Sequence, residues 1–207
     1  MNGFGHFRPG TVPTDMSAFE HALATGFALD RRFHLLRGEM DTTKEPALLL
    51  LAQVLNRRGV RWAIIGGVAA QVRLAEARTT LDIDVALADA TALPLQALQA
   101  AGFRHQGTFA HSDNWIGPGE VPVQFAADPA WLGAIDRATT IALENESLPI
   151  ITAADLLRAK LVAGRDPARR RSKRLRDIAD AVALVEQEPR LADELTEEER
   201  SWLVELR

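Results

Sequence analysis

The stretch IIGGVAAQVRLAEARTTLDIDVAL, Ile64 to Leu87, decides how the rest of the chain is read. Val60 to Ile65 is β-branched and aromatic and predicts a buried strand that stops at Gly66-Gly67. A helix is expected from about Val68 to Ala75. Thr80 to Leu87 then alternates Leu81, Ile83, Val85 and Leu87 with Thr80, Asp82, Asp84 and Ala86, the period of a strand with one apolar face. A glycine pair between strand and helix lets the backbone approach a phosphate closely, with free N–H groups and the positive end of the helix dipole aimed at it. A tight strand-to-helix turn would place glycines there too. Asp82 and Asp84, two apart on a strand, project from one face about 7 Å apart at the backbone. Like charges that close repel, so a strand keeps them together most readily where a cation or hydrogen-bond donors compensate. Their spacing suits Mg²⁺, which takes one or two protein oxygens and completes its shell with water and substrate phosphates. A solvated polar face of an edge strand is the plainer alternative.

Outward from that core, Glu45-Pro46 opens a leucine-rich helix to about Arg58, ended by Gly59. A helix from about Thr91 to Ala101 closes at Gly102. Residues 103–110, 114–116 and 121–126 read as short strands, with Gly117-Pro118-Gly119 as a turn. The order α-β-α-β-α-β-β-β gives way to helices. Thr152 with Asp155 resembles a capping box opening a helix to about Ala163. A second helix runs from about Arg171 to Glu186, Pro189 ends it, and a third spans about Thr196 to Leu206. Residues 1–15 hold no periodic pattern and read as a loosely tethered arm; a helix over about 16–38 is expected to pack outside the central fold. The division is an N-terminal arm and helix (1–45), a core (46–150) and a helical C-terminal portion (151–207). The fold class is α/β (α+β), a small mixed sheet with helices on its sides.

The 207 residues suffice for one full core, and 47% apolar with 25% charged residues argues against disorder, collagen-like repeats and coiled coil. With no cysteine, disulfides, thiolate zinc sites and cysteine nucleophiles are excluded. A net charge of −4 leaves no whole-surface attraction to polyanions, so any such site is local. No apolar stretch approaches the roughly 18 residues that span a bilayer. A soluble, cytoplasmic protein without membrane partners is expected.

Strand, Gly-Gly, helix, then Arg78-x-Thr80-x-Asp82-x-Asp84 resembles the nucleotidyltransferase fold of the DNA polymerase β-like superfamily, over about residues 46 to 186. It is most similar to the stand-alone bacterial branch that includes AbiEii-type toxins of type IV toxin–antitoxin systems. The resemblance implies transfer of a nucleoside monophosphate from a nucleoside triphosphate to a hydroxyl of RNA, protein or a small molecule, with an antitoxin protein as a candidate partner. It implies that Gly66 and Gly67 hold the triphosphate, with Arg78 and Thr80 beside them, and that Asp82 and Asp84 are catalytic and hold Mg²⁺ or Mn²⁺. It also implies a third carboxylate on a later strand, which activates the attacking hydroxyl. There the sequence reads Val121-Pro122-Val123-Gln124-Phe125, with Gln124 at the aligned position. A glutamine cannot accept a proton and is a poor metal ligand beside a carboxylate. Glu120 is roughly 13 Å away by strand rise, while Asp113 and Asp128 are expected in loops. A catalytically degenerate nucleotide-binding or partner-binding module is the alternative.

Lys160 falls on or beside the apolar stripe of its helix, a costly place for an ammonium unless it faces a cleft, though it could snorkel from the stripe edge. The resemblance places a catalytic lysine at a similar point, facing the phosphates, and implies a nucleotide-site role for Asp177 in the next helix. Arg169, Arg170, Arg171, Lys173 and Arg174 form the one strongly basic run and are candidate nucleic-acid contacts, against the reading of a solvated loop and helix surface. His105 and His111 lack the partners of a zinc site. Trp62, Trp115, Trp131 and Trp202 read as core or edge packing.

Overall fold

A computed structural model describes residues 17–38, 43–76, 78–109 and 112–205. The expected arm (1–15) and His111 lie outside the described residues. Helix α1 (Ala18–Leu36) begins at Ser17, whose hydroxyl accepts from the Glu20 N–H while the Glu20 carboxylate accepts from the Ser17 N–H. Helix α2 (Glu45–Arg57) has proline in its first turn and ends before Gly59, which adopts φ +62°. Strand β1 (Trp62–Ile65) runs into α3 (Gly66–Arg73), followed by β2 (Ile83–Leu87).

Pro94 breaks the single helix expected over 91–101: a 3₁₀ turn over Ala90–Ala92 precedes a short α4 (Leu95–Ala100). Three strands follow as expected, β3 (Arg104–Phe109), β4 (Ser112–Gly117) and β5 (Val121–Ala126). The segment to 150, where the sequence pattern announces no element, holds α5 (Leu132–Asp136) and a hairpin of β6 (Thr139–Leu143) and β7 (Glu146–Ile150). Helices α6 (Ala153–Arg165), α7 (Arg171–Gln187) and α8 (Glu197–Glu205) complete the chain. Thr152 caps α6, accepting from the Asp155 N–H at 3.1 Å.

The strands form one seven-stranded mixed sheet in the order β3-β4-β5-β2-β1-β7-β6. Only β2 with β5 and β1 with β7 run parallel; the other neighbours are antiparallel. Strand β1 is buried on both faces because it is central, and its Ile64 packs in one core with Leu48, Leu51 and Leu55 of α2 and Val85 of β2. Each such side chain contributes about 1.5–3 kcal/mol by leaving water.

Helix α1 does not pack outside the fold. Leu23 and Phe27 belong to the core and α1 lies against α3. Gly26 allows this close approach, since a Cβ there would come within 2.9 Å of Gln71. Among the described residues no helix is long and apolar enough to cross a membrane.

Candidate functional site

The site lies where β1 ends and α3 begins. Gly66 takes φ +62°, a conformation open to glycine at little cost, and starts α3 itself rather than preceding it by two residues. A Cβ on Gly66 would stand 2.7 Å from Cγ of Asp84, and one on Gly67 would stand 2.8 Å from Cβ of Thr80. Both glycines are therefore required by contact, the first by conformation as well. The Gly67 N–H donates to Oδ2 of Asp84 across 3.5 Å.

The two acidic residues are held differently. Asp84 is inside β2, with Ile65 of β1 across from it on one side and Gln124 of β5 on the other. Asp82 precedes the strand, which begins at Ile83, three residues later than the alternation suggests. The reason is that Arg78 to Asp82 hydrogen-bonds to side chains instead of to a neighbouring strand: the Thr80 hydroxyl donates to Oδ1 of Asp82 at 2.7 Å, Gln71 donates to the Arg78 carbonyl at 2.7 Å, and Lys44 donates to the Thr80 carbonyl at 2.8 Å. Burial, and then the like charge of Asp82, push the Asp84 carboxyl up to about 6; the Gly67 N–H and the charges of Lys160 and Lys173 act in the opposite direction.

The α6–α7 pair supplies a charged wall. Lys160 is buried, 2.8 Å from Oδ1 of Asp177 and 2.8 Å from Oδ2 of Asp180. Arg78 forms an ion pair with Asp180, and Arg169 stands 3.1 Å from Oδ2 of Asp177. Three cations thus face two carboxylates beside the Asp82–Asp84 pair. Burial lowers the Arg78 pKa, with Asp177 and Asp82 opposing that shift. Lys160, Asp177 and Arg78 share one cluster, joined by Asp180, which the sequence reading did not single out. Its place three residues after Asp177, and so on the same helix face, was the available signal.

The basic run divides. Arg169 is committed to Asp177, and Arg174 donates to the Gly164 carbonyl at 2.9 Å. Arg170, Arg171 and Lys173 are exposed at the start of α7.

The donor set fits one hard divalent cation. It has two carboxylates, one of them raised in pKa by burial and by the like charge of the other, beside a backbone cradle that any side chain at 66 would fill. It does not fit a second ion held by a β5 carboxylate. Gln124 is the residue beside Asp84, and the described residues contain no group of three His, Asp or Glu side chains placed to hold a metal. The other nearby acids are engaged elsewhere. Asp113, on β4 rather than in a loop, accepts from Thr108 and Trp115 and meets His105 at 2.6 Å. Asp128 caps the 3₁₀ turn at Pro129, and Glu120 accepts from Arg104. Trp62 and Trp115 are buried in the core, with Trp131 and Trp202 packed partly against it.

No family model matches this chain, and no curated protein matches it in sequence. Solved structures do match in shape. An antigenic nucleotidyltransferase-like protein from Paracoccidioides brasiliensis superposes with a TM-score of 0.55 at 21% identity, over 79% of this chain and 87% of that one. The antibiotic-resistance factor ANT(2'')-Ia, in a crystal structure with adenylyl-2''-tobramycin, gives a TM-score of 0.52 at 16% identity over 79% and 98%. Its solution structure gives 0.52 at 16% over 79% and 90%. The chain has the nucleotidyltransferase fold.

Proposed function

We propose that this protein is a metal-dependent nucleotidyltransferase that moves a nucleoside monophosphate from a nucleoside triphosphate to an acceptor. The observation that carries the reading is the contact of Gly66 and Gly67 with Asp84 and Thr80, a side-chain-free cradle set directly against the carboxylate pair. Two neighbours of the same fold have names that place them among nucleotidyltransferase-like or antibiotic-resistance proteins, and one was crystallised with an adenylylated small molecule, which supports group transfer of this kind.

In this reading the acceptor oxygen attacks the α-phosphorus, the new O–P bond forms, and the bond to the β-phosphate breaks to release pyrophosphate. Mg²⁺ or Mn²⁺, held by Asp82 and Asp84, would neutralise triphosphate charge and polarise the phosphorus. The N–H groups at the start of α3 other than that of Gly67, which Asp84 takes, bind phosphate oxygens, and Lys160 and Arg78 balance the charge of the leaving pyrophosphate. The hydroxyl proton has no carboxylate on β5 to receive it, because Gln124 has no basic oxygen. The reaction is therefore slower than in a site with three acids, unless the acceptor arrives already nucleophilic.

That residue also favours a second reading, a module that binds nucleotide or a partner without turnover. RNA as acceptor is supported by the exposed Arg170, Arg171 and Lys173. A place among AbiEii-type toxins, with an antitoxin as partner, is supported by the pattern of residues 64–87 together with Lys160 and Asp177.

The test is pyrophosphate release and label transfer from α-labelled triphosphates, offered with RNA, protein and small-molecule acceptors, by wild type and by Asp82→Ala/Asp84→Ala. Label transfer by the wild type alone is expected. Nucleotide binding without release of pyrophosphate selects the second reading, and absence of both sinks the first and leaves no nucleotide role.

A further inference from the structure

Asp84 is placed by the sheet, held in register between Ile65 and Gln124. Asp82 is not, since β2 begins one residue after it. A carboxylate that must sit beside Asp84, against their mutual repulsion, needs another means of positioning. The segment from Arg78 to Asp82 is pinned by groups that reach it from far along the chain, and the most unusual is Lys44.

Lys44 and Asp30 are almost completely buried, at 3% and 2% exposure, and form an ion pair. Oδ1 of Asp30 has no hydrogen-bond partner. Burying two charges costs several kcal/mol each, and an apolar pair of the same size is often as stable or more so. Stability alone thus gives this pair little reason to be charged. The ammonium does something an apolar residue could not, donating to the Thr80 carbonyl at 2.8 Å. Thr80 in turn donates from its hydroxyl to Oδ1 of Asp82 at 2.7 Å, which leaves Oδ2 of Asp82 outside that bond. Gly67 makes room for the Thr80 hydroxyl, because any Cβ at 67 would occupy its place.

We propose that Lys44, fixed by Asp30, is a positioning residue for the Asp82 carboxylate, so that α1 and the residue preceding α2 belong to the metal site. The inference rests on the metal-and-nucleotide reading given above. Lys44 anchors the Thr80 peptide, Thr80 orients one oxygen of Asp82, and the other oxygen is left outside that bond for a cation to use. Gln71, itself buried, fixes the Arg78 peptide two residues earlier.

The test is Mn²⁺ binding to the full chain, read from the loss of the free-ion electron paramagnetic resonance signal, with and without a non-hydrolysable triphosphate. It compares wild type, Lys44→Met, Lys44→Arg and the double variant Asp30→Leu/Lys44→Met, with metal-free melting temperatures alongside. Lys44→Met leaves Asp30 as an uncompensated buried charge and loses stability. The double variant replaces the ion pair by an apolar one and stays folded. The expected result is that the double variant melts near the wild type yet binds Mn²⁺ about tenfold or more weakly, the usual scale for loss of a group that orients a ligand. Lys44→Arg, which keeps charge and donors, recovers much of that loss. A double variant that binds Mn²⁺ within twofold of a wild type that itself binds overturns this inference alone. Wild type that binds no Mn²⁺ even with triphosphate overturns the metal-site reading, and this inference with it.

Discussion

Gln124 stands directly across from Asp84 in the parallel ladder of β2 and β5, so its carboxamide occupies the place on the sheet face nearest to a buried carboxylate. Asn114 of β4 flanks it on the other side, with an Oδ1 that has no hydrogen-bond partner. The face therefore runs from one acid through two amides. Replacing Gln124 by Asp adds a proton acceptor in this row, and general-base catalysis typically contributes about 10²–10⁴-fold. Gln124→Asp is expected to raise the rate of pyrophosphate release at least tenfold at pH 8. An unchanged or lower rate in a variant that still binds nucleotide would show that residue 124 is not where the base is missing.

Gly66→Ala brings a methyl group onto the Asp84 carboxylate at a backbone angle that disfavours any side chain. The conformational part alone costs about 1–3 kcal/mol, and the overlap adds to it. Calorimetric melting should show a loss of several degrees with no triphosphate-induced rise. Gly59→Ala shares the positive φ but meets nothing within 4 Å, and so serves as the control. It should lose some stability and keep nucleotide binding.

Burial holds the Asp84 carboxyl protonated in the native state up to about pH 6, whereas in the unfolded chain it returns to the ordinary carboxylate value of 3.8. Between those values the native state binds more protons than the unfolded one, so stability falls as pH rises through this window. The cost is absent below about pH 4, fully present above pH 6, and of the order of 1–3 kcal/mol. Asp84→Asn should therefore raise the metal-free melting temperature at pH 8, with the gain vanishing near pH 4. An equal gain at both pH values would assign it to something other than the buried charge.

Lys160→Met leaves Asp177 and Asp180 buried with one cation each, Arg169 and Arg78. Removing one partner from a buried charge group costs about 3 kcal/mol or more. Urea unfolding should show this loss. Lys160→Met/Asp180→Asn, which removes one charge of each sign, should recover part of it while leaving triphosphate binding weak. Recovery of both together would make Lys160 a purely structural cation.

Much of the site was legible because its chemistry is local. Gly66, Gly67, Thr80, Asp82 and Asp84 lie within one strand-helix-strand unit, so spacing alone brings them together. Lys160 was legible from its place on an apolar stripe, but its second partner, Asp180, was not sought. Asp30, Lys44 and Gln71 could not be read from pattern. Asp30 and Gln71 sit among ordinary helical residues and Lys44 just ahead of α2, and only tertiary packing, α1 against α3 included, makes them buried and adjacent to Thr80. The same fact explains why α1 was expected outside the fold: its buried face includes a charged residue, Asp30, which weakens the apolar stripe. The β6–β7 hairpin had the signal of a half-buried pair in Ile141, Leu143, Leu148 and Ile150, all buried. Its turn uses Glu144 at φ +52°, with no glycine or proline to announce it.

In the proposed function, Asp82 and Asp84 hold a metal-bound triphosphate against the Gly66-Gly67 cradle. The most direct measurement is a thermal melt of wild type and Asp82→Ala/Asp84→Ala, each with Mg²⁺ alone and with Mg²⁺ plus each ribonucleoside triphosphate. A ligand present at 100 times its dissociation constant adds about 2.7 kcal/mol, which for a chain of this size is a rise of about 5 °C or more. That rise is expected in the wild type for at least one triphosphate, only with metal, and none is expected in the double variant. No rise with any triphosphate at millimolar concentration, or an equal rise in the double variant, would contradict it.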